Sequence, residues 1–321
     1  MLSLLIVGLG NIGFRYDENL SKENFILSHA RAACSLEGYN LQGGVDTSQA
    51  TRDDFFKKYN VPVFETLEDA LEKLSPDVVV ISSPTEFHYD HCSIVLKYSK
   101  VKAIICEKPI AYTVDQASEI VERCREKGVN LYVNYMRRSN PGVIKLKELI
   151  KSGNLGKDIK GFVWYAKGFL HNGSHYFNLL EYLFGEMLEF KMLSKGRTIP
   201  DFGPEPDVWV KFEDGSFVFQ ALNEESFSHY DMEIIGSKGR IRYENGGKNI
   251  YHNQVSNHPD LANYKVLETR PSEIPSEMNI YQKNVYEEVL KDLNSQPAKI
   301  CTGEEALSTL MSMTKILKEI I

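Results

Sequence analysis

The side chains best suited to chemistry in this 321-residue chain fall in three places. The first is a glycine run, Gly8-Leu9-Gly10-Asn11-Ile12-Gly13, directly after the apolar stretch Leu2–Val7. Glycines at this spacing let a chain turn tightly off a strand, bring its backbone against a pyrophosphate and pack the next helix closely. The amides that open that helix then face the phosphates. Gly8, Gly10, Asn11, Ile12 and Gly13 are therefore candidate nucleotide contacts, with a merely structural glycine turn as the alternative. The second place is Glu107-Lys108-Pro109, after the apolar run Ala103–Cys106. A lysine at the carboxyl end of a parallel strand stands where open α/β sheets bind ligands; away from such a sheet it would be an ordinary solvated lysine. The third is His171-Asn172-Gly173-Ser174-His175. Beyond it Tyr176, Leu179, Leu180 and Leu183 recur at helical spacing as a stripe to be buried. His175, Asn178 and Tyr182 share another face, and His175 suits proton transfer near neutral pH. His-x-x-x-His is also a two-ligand metal spacing, but position 172 is Asn and no third ligand follows, so no metal is expected.

These residues need a scaffold, and the first third of the chain supplies one. Short unbroken apolar runs at Leu2–Val7, Leu41–Val45, Val78–Ser82, Lys102–Cys106 and Asn130–Asn134 alternate with amphipathic stretches such as Thr113–Lys127. That alternation predicts a doubly wound parallel sheet, covered on both faces, over residues 1–135. Asp46, at the end of the second run, is placed to bind the adenosine ribose hydroxyls. Its charge repels a 2′-phosphate and favours NAD over NADP, although Arg52 is close enough to keep NADP possible. Ser83 and Pro84, at the next strand end, and His88, at the mouth of the following helix, join Glu107 and Lys108 as cofactor candidates. Asp46 follows Gly13 by 33 positions, where about 20 is usual. The surplus matches Phe14–Leu27, which reads as an insertion beside the phosphates, either a surface loop or a functional lid.

From about residue 155 the pattern changes. Phe162–Ala166, Val208–Phe212, Phe217–Leu222, Met232–Ile235 and Arg240–Tyr243 alternate polar with apolar, and Asp214-Gly215 and Ser237-Lys238-Gly239 supply hairpin turns. An open, mainly antiparallel sheet with one wetter face is predicted, closed by helices at Val285–Leu293 and Glu305–Ile320. Residues 136–321 thus form a second, α+β domain.

Composition sets the outer limits. Hydrophobic residues make up 42% and charged residues 25%, an ordinary globular balance. The net charge of −7 argues against a protein built to hold a nucleic-acid backbone. No apolar run reaches the ~18 residues of a membrane span, and the N-terminus lacks a basic leader, so no signal peptide is expected. Five scattered cysteines form no zinc or redox motif, which fits reduced thiols in the cytoplasm.

Glu107-Lys108-Pro109 downstream of the glycine loop resembles the glucose–fructose oxidoreductase/inositol dehydrogenase/rhizopine-catabolism (Gfo/Idh/MocA) family. The resemblance continues through Asn134-Tyr135-Met136-Arg137-Arg138-Ser139-Asn140-Pro141, Leu149–Gly156, Met232–Ile241 and Cys301–Ala306, and so spans nearly the whole chain. It implies a nicotinamide-dependent oxidoreductase acting on a secondary hydroxyl of a sugar, polyol or nucleotide sugar. It further implies catalytic roles for Lys108 and His175, and a homodimer or homotetramer formed through the C-terminal sheet. The family usually has Asp-x-x-x-His with a further Asp three residues on; here His171 and Asn178 stand in those places. His171 becomes a candidate relay or substrate donor, and Lys108, Tyr135, Arg137, Arg138, His171, Asn178 and His175 candidate substrate contacts, with surface charge at a domain crossing as the alternative for the arginines. Some proteins on this scaffold are regulators rather than enzymes, a galactose-pathway repressor among them. An inactive NAD-binding regulator is the second reading.

Overall fold

The computed structural model describes residues 1–98, 100–227 and 229–320. The chain divides into two compact units, Met1–Ser139 with Asn279–Ser308, and Asn140–Met278 with Thr309–Ile321.

In the first unit, β1 (Leu2–Val7), β2 (Tyr39–Val45), β3 (Val63–Phe64), β4 (Val78–Ile81), β5 (Ala103–Cys106) and β6 (Asn130–Val133) form one parallel sheet. Its order is β3-β2-β1-β4-β5-β6. The order reverses beside β1, and the crevice at that reversal is where such sheets bind ligands. All residues of β4 and β5 are buried, which is why these strands read as continuous apolar runs. The crossovers carry α1 (His29–Ser35), α2 (Gln49–Tyr59), α3 (Leu67–Leu74), α4 (His88–Val95) and α5 (Val114–Lys127). Their ends follow local chemistry: the side chains of Ser48, Thr66 and Thr113 cap α2, α3 and α5 by accepting a backbone N–H three residues on. Gly128, at φ 65°, ends α5 in a left-handed turn.

The second unit opens with α6 (Pro141–Lys151), followed by β7 (Lys160–Tyr165), α7 (Ser174–Phe184), β8 (Met187–Ile199), β9 (Gly203–Phe212), β10 (Gly215–Ala221), β11 (Met232–Gly236), β12 (Gly239–Glu244), β13 (Asn249–Asn257), β14 (Lys265–Leu267) and β15 (Ser272–Ile274). The sheet runs β14-β13-β12-β11-β7-β10-β9-β8, with β15 beside β13. All its pairings are antiparallel except β7 with β10. One face packs a core of Val163, Tyr165, Phe177, Leu180, Phe184, Val210, Phe212, Phe217 and Ile234.

The chain then returns to the first unit as α8 (Tyr281–Leu293), although sequence pattern alone placed it in the second domain. Val285, Tyr286 and Val289 are fully buried in the core that also holds Leu4, Ala30, Tyr39 and Tyr132. This burial of an amphipathic stripe is what binds a distant segment to the parallel sheet. The last helix, α9 (Gly303–Leu317), begins in the first unit and ends in the second. No helix among the described residues is long and apolar enough to cross a membrane.

Candidate active site

The glycine loop is shaped by close backbone approaches. Gly8 has φ +91°, and a Cβ on it would lie 2.4 Å from Ser83 N. A Cβ on Gly13 would lie 2.4 Å from the Gly8 oxygen, whereas one on Gly10 meets nothing within 4 Å. Two glycines are thus required by packing, and the third leaves backbone open for a ligand. Asp46 holds this loop from β2: its Oδ2 accepts the Leu9 N–H at 2.8 Å and its Oδ1 the Ser48 N–H at 2.9 Å. Arg52 donates to the Asp46 carbonyl at 2.6 Å and lies 3.5 Å from Glu65. Its charge is committed to those partners, so the acidic Asp46 dominates where a 2′-phosphate would sit. An open glycine backbone beside an ordered carboxylate fits an NAD adenosine and pyrophosphate. Asn11 and Ile12 belong to a single π turn, Asn11–Arg15, rather than to a continuing α-helix.

Phe14–Leu27 overlaps the end of that turn and runs on as a loop that is exposed over Glu18–Asn24 and anchored by buried residues near its two ends, Phe14 and Asp17 at one and Ile26 at the other. Asp17 is fully buried; it accepts from Leu27 N (2.7 Å), Ser28 N (2.9 Å) and Ser28 Oγ (2.8 Å). Arg31 of α1 pairs with Asp17 at 3.3 Å and donates to the carbonyls of Leu20 (3.1 Å) and Phe25 (3.0 Å) as well as that of Asp17. The loop is folded around one guanidinium.

At the neighbouring strand ends, His88 is buried and bridges two loops. Its Nε2 lies 2.9 Å from the Ser83 carbonyl and its Nδ1 3.0 Å from that of Pro109. Burial pushes its pKa down, against the pull of those carbonyls and of Glu107. A neutral ring has one N–H for these two acceptors, so only one of the two contacts is a hydrogen bond at a time while the ring packs between the Ser83-Pro84 turn and the segment after Lys108. Ser83 Oγ also meets His91 Nδ1 at 2.9 Å. These are cross-braces beneath the cofactor side of the sheet.

Lys108 follows β5, and its peptide bond to Pro109 is cis. Burial lowers the pKa of its ammonium to about 8, with Glu107 opposing the shift and Arg137 adding to it. Arg137 lies in the short helical turn Met136–Ser139, just after the buried Tyr135. Arg138 is spoken for by Glu305, at 2.5 Å. Of the two arginines, Arg137 is the one whose charge reaches Lys108.

In the second unit, His171 sits in a π turn, Gly168–Gly173, that leads directly into α7, where His175 is the second residue. π turns of this kind are frequent at functional sites. The turn is pinned by Glu205, a fully buried carboxylate that accepts from Gly168 N at 3.0 Å and from Arg197 Nε at 2.7 Å. Gly168 has φ +80°, and a Cβ there would lie 1.9 Å from the Phe202 oxygen, so only glycine fits. The His171 ring packs 5.1 Å from that of Phe202. Asn172 donates to Tyr230 Oη at 3.1 Å, Tyr230 donates to Glu224 at 2.8 Å, and Lys167 pairs with Glu224 at 2.6 Å. Lys167, Phe202, Glu224 and Tyr230 were not singled out by sequence. The one cue was the polar stretch after β10, which looks like any loop.

The predicted apolar stripe on α7 is buried: Tyr176, Leu179, Leu180 and Leu183 are all under 6% exposed. Asn178, expected on a cleft face, is fully buried and donates to Thr309 Oγ1 at 2.9 Å, and Thr309 in turn bonds Glu181. Tyr182 lies beneath the Lys147 ammonium, 3.4 Å from its ring centre. Among the described residues no group of three or more His, Cys, Asp or Glu is placed to hold a metal.

Comparison with known proteins gives this geometry a lineage. Residues 2–135 match the family model described as "Oxidoreductase family, NAD-binding Rossmann fold", and residues 166–319 match its "C-terminal alpha/beta domain". The chain is 26% identical over 264 residues to scyllo-inositol 2-dehydrogenase (NAD(+)) of Bacillus subtilis, covering 74% of this chain and 72% of that one. Its fold is similar to that of the WlbA dehydrogenase from Bordetella pertussis, solved with NADH and UDP-GlcNAcA (TM-score 0.78, 20% identity, 99% and 95% of the two chains). It is also similar to Gal80p from Saccharomyces cerevisiae (TM-score 0.77, 15% identity, 99% and 95% covered). With both family models matched in order along most of its length, the chain belongs to the Gfo/Idh/MocA family of NAD-binding oxidoreductases.

Proposed function

We propose that this protein is a dehydrogenase that oxidises a secondary hydroxyl of a cyclic polyol, sugar or nucleotide sugar, with Lys108 and His175 at the reacting oxygen. The observation that carries this reading is Lys108: a lysine at the end of a central strand of the NAD-binding sheet, with its pKa lowered to about 8. A group so tuned can carry charge at neutral pH and still exchange a proton. NAD, when bound, supplies the hydride acceptor. Lys108 hydrogen-bonds the substrate oxygen and stabilises the alkoxide as negative charge develops there. His175 accepts the hydroxyl proton, and His171 stands one helical turn earlier as a donor to the substrate or a relay. Arg137 and Tyr135 contribute substrate contacts, and the positive charge of Arg137 favours substrates bearing phosphate or carboxylate. Relatives named as inositol and glucose-6-phosphate dehydrogenases support this substrate class.

The test is nicotinamide absorbance with myo-inositol, scyllo-inositol, glucose 6-phosphate and UDP-GlcNAcA. Turnover with one of them that disappears in both Lys108→Ala and His175→Ala supports the assignment. Full activity in either variant sinks it. A second reading, an NAD-bound regulator without turnover, is favoured by His171 in place of the family's acid and by a 31% identical stretch of 116 residues in the regulator GAL80. Tight NAD binding with no reaction across the panel would select it. We further propose a cytoplasmic homodimer or homotetramer assembled through the outer face of the second unit's sheet, testable by light scattering in solution.

A further inference from the structure

Four polar side chains from four parts of the chain close a ring inside the first unit. His29 Nε2 lies 3.0 Å from Glu107 Oε1, and His29 Nδ1 lies 3.0 Å from Gln282 Nε2. Gln282 Oε1 accepts from Asn134 Nδ2 at 3.0 Å, and that same nitrogen donates to Glu107 Oε1 at 2.5 Å. Tyr286 Oη approaches His29 Nδ1 at 3.0 Å, and the Tyr286 carbonyl holds the Tyr39 hydroxyl at 2.9 Å. His29 and Gln282 are fully buried and Asn134 nearly so.

One charge fixes the direction of every bond in the ring. An ionised carboxylate only accepts, so His29 Nε2 and Asn134 Nδ2 must both donate to Glu107. Asn134 then presents N–H to Gln282, whose oxygen accepts and whose amide nitrogen faces His29. That leaves His29 Nδ1 as an acceptor and puts its proton on Nε2. A neutral Glu107 would have a single O–H for two neighbours and would break the ring at one of them. Burial alone would raise the pKa of Glu107; the hydrogen bonds from His29 and Asn134 and the charge of Lys108 pull the other way, and the group stays below the usual carboxylate range.

The two carboxylate oxygens divide their duties. Oε1 takes both ring donors, and Oε2 is left on the lysine side, where it accepts the Lys108 backbone N–H at 3.3 Å. The other ionisable groups that feel this charge are Cys106, Tyr281, Tyr286 and His88. Burial and Arg137 drive the lysine toward neutrality, and Glu107 is the charge that opposes them.

We propose that His29, Asn134 and Gln282 are positioning residues for Lys108: they keep Glu107 ionised, with its Oε2 held on the Lys108 backbone N–H, and so set the lysine's charge. This rests on Lys108 acting at the substrate oxygen, but it can be tested without turnover. Lysines of the full-length protein are methylated reductively with ¹³C-formaldehyde, the Lys108 signal is assigned by its loss in Lys108→Arg, and its titration is followed by NMR. Glu107→Gln should lower the Lys108 midpoint by about one unit or more. Gln282→Leu and His29→Phe should each lower it by about half a unit or more, about threefold in the acid constant. His29→Gln, which keeps an N–H donor, should restore much of the difference. Circular dichroism and thermal melts identify the folded variants, and Gln282→Met replaces any that fails to fold. A folded Gln282→Leu or Gln282→Met protein with the wild-type midpoint, alongside a shifted Glu107→Gln, would overturn the ring's role. No movement in Glu107→Gln would overturn the Glu107–Lys108 coupling itself. Full turnover in Lys108→Ala would instead strike the functional assignment and leave these titrations standing.

Discussion

The two candidate histidine environments are held in opposite ways. In the first unit, His29 is locked by side chains: both ring nitrogens are bonded, and the chemistry behind Lys108 is a closed circuit of donors and acceptors. In the second unit, the turn carrying His171 is held partly through its backbone, where Glu205 takes the Gly168 N–H, and partly by the Asn172–Tyr230–Glu224 chain and the Phe202 ring. A site fixed by side-chain hydrogen bonds depends on the identity of each member, because removing one leaves a buried group without its partner. A site fixed through its backbone can change the side chain it displays and keep its shape. Substitutions in the ring of the first unit should therefore be the less well tolerated.

That contrast can be broken at several points. The largest effect is expected at Lys108: Lys108→Ala should lower turnover about a thousandfold, near 4 kcal/mol, with NAD affinity by fluorescence titration unchanged within about twofold. The same group should appear in the pH profile. Its ammonium is intact below its lowered pKa of about 8 and is lost above it, so kcat should fall about tenfold per pH unit well above that point. A rise through that range would mean that the neutral amine is the active form. Next, Arg31→Met leaves the buried Asp17 carboxylate without its cation and should cost about 3 kcal/mol in chemical denaturation. A loss below about 1 kcal/mol would show that the insertion is not built on this pair. Asp46→Ala should weaken NAD binding about thirtyfold, near 2 kcal/mol, by removing a charged acceptor from both the ribose site and the Leu9 amide. Equal binding would move the ribose site elsewhere. The smallest change is expected for His171→Asp, which should shift kcat by less than about tenfold and leave the thermal midpoint within a few degrees. A collapse of folding in that variant would show that the second unit is as dependent on side-chain identity as the first.

How much of this was readable beforehand follows from where the determinants lie. The placement of the glycine loop, Asp46 and Lys108 at strand ends was legible because each follows directly on an apolar run, and that is a local feature. The apolar stripe of α7 was legible from its 3.6-residue period. The ring around Glu107 was not: His29 and Gln282 lie 253 positions apart, and nothing in either neighbourhood announces the other. The insertion looked like a polar excursion because Asp17 and Arg31 are charged, and charge alone does not reveal a buried pair. β8 was missed for a different reason. Most of its residues are exposed, so it lacks the alternation by which a half-buried strand declares itself. Asn178 shared a helical face with His175 in projection, but packing assigned it to α9.

The return of α8 to the first unit also orders events in time. Gln282 and Tyr286 are synthesised only after the whole of Asn140–Met278 has been made. At 5–20 residues per second this interval is roughly 7–28 s. During it the nascent nucleotide-binding sheet lacks the helix that covers Tyr39 and completes the polar ring. The second unit is chained into the same delay, because its own stretch from Thr309 onward is made after α8. Neither half can finish early, so a ribosome that stalls before residue 279 releases two incomplete cores instead of one working module.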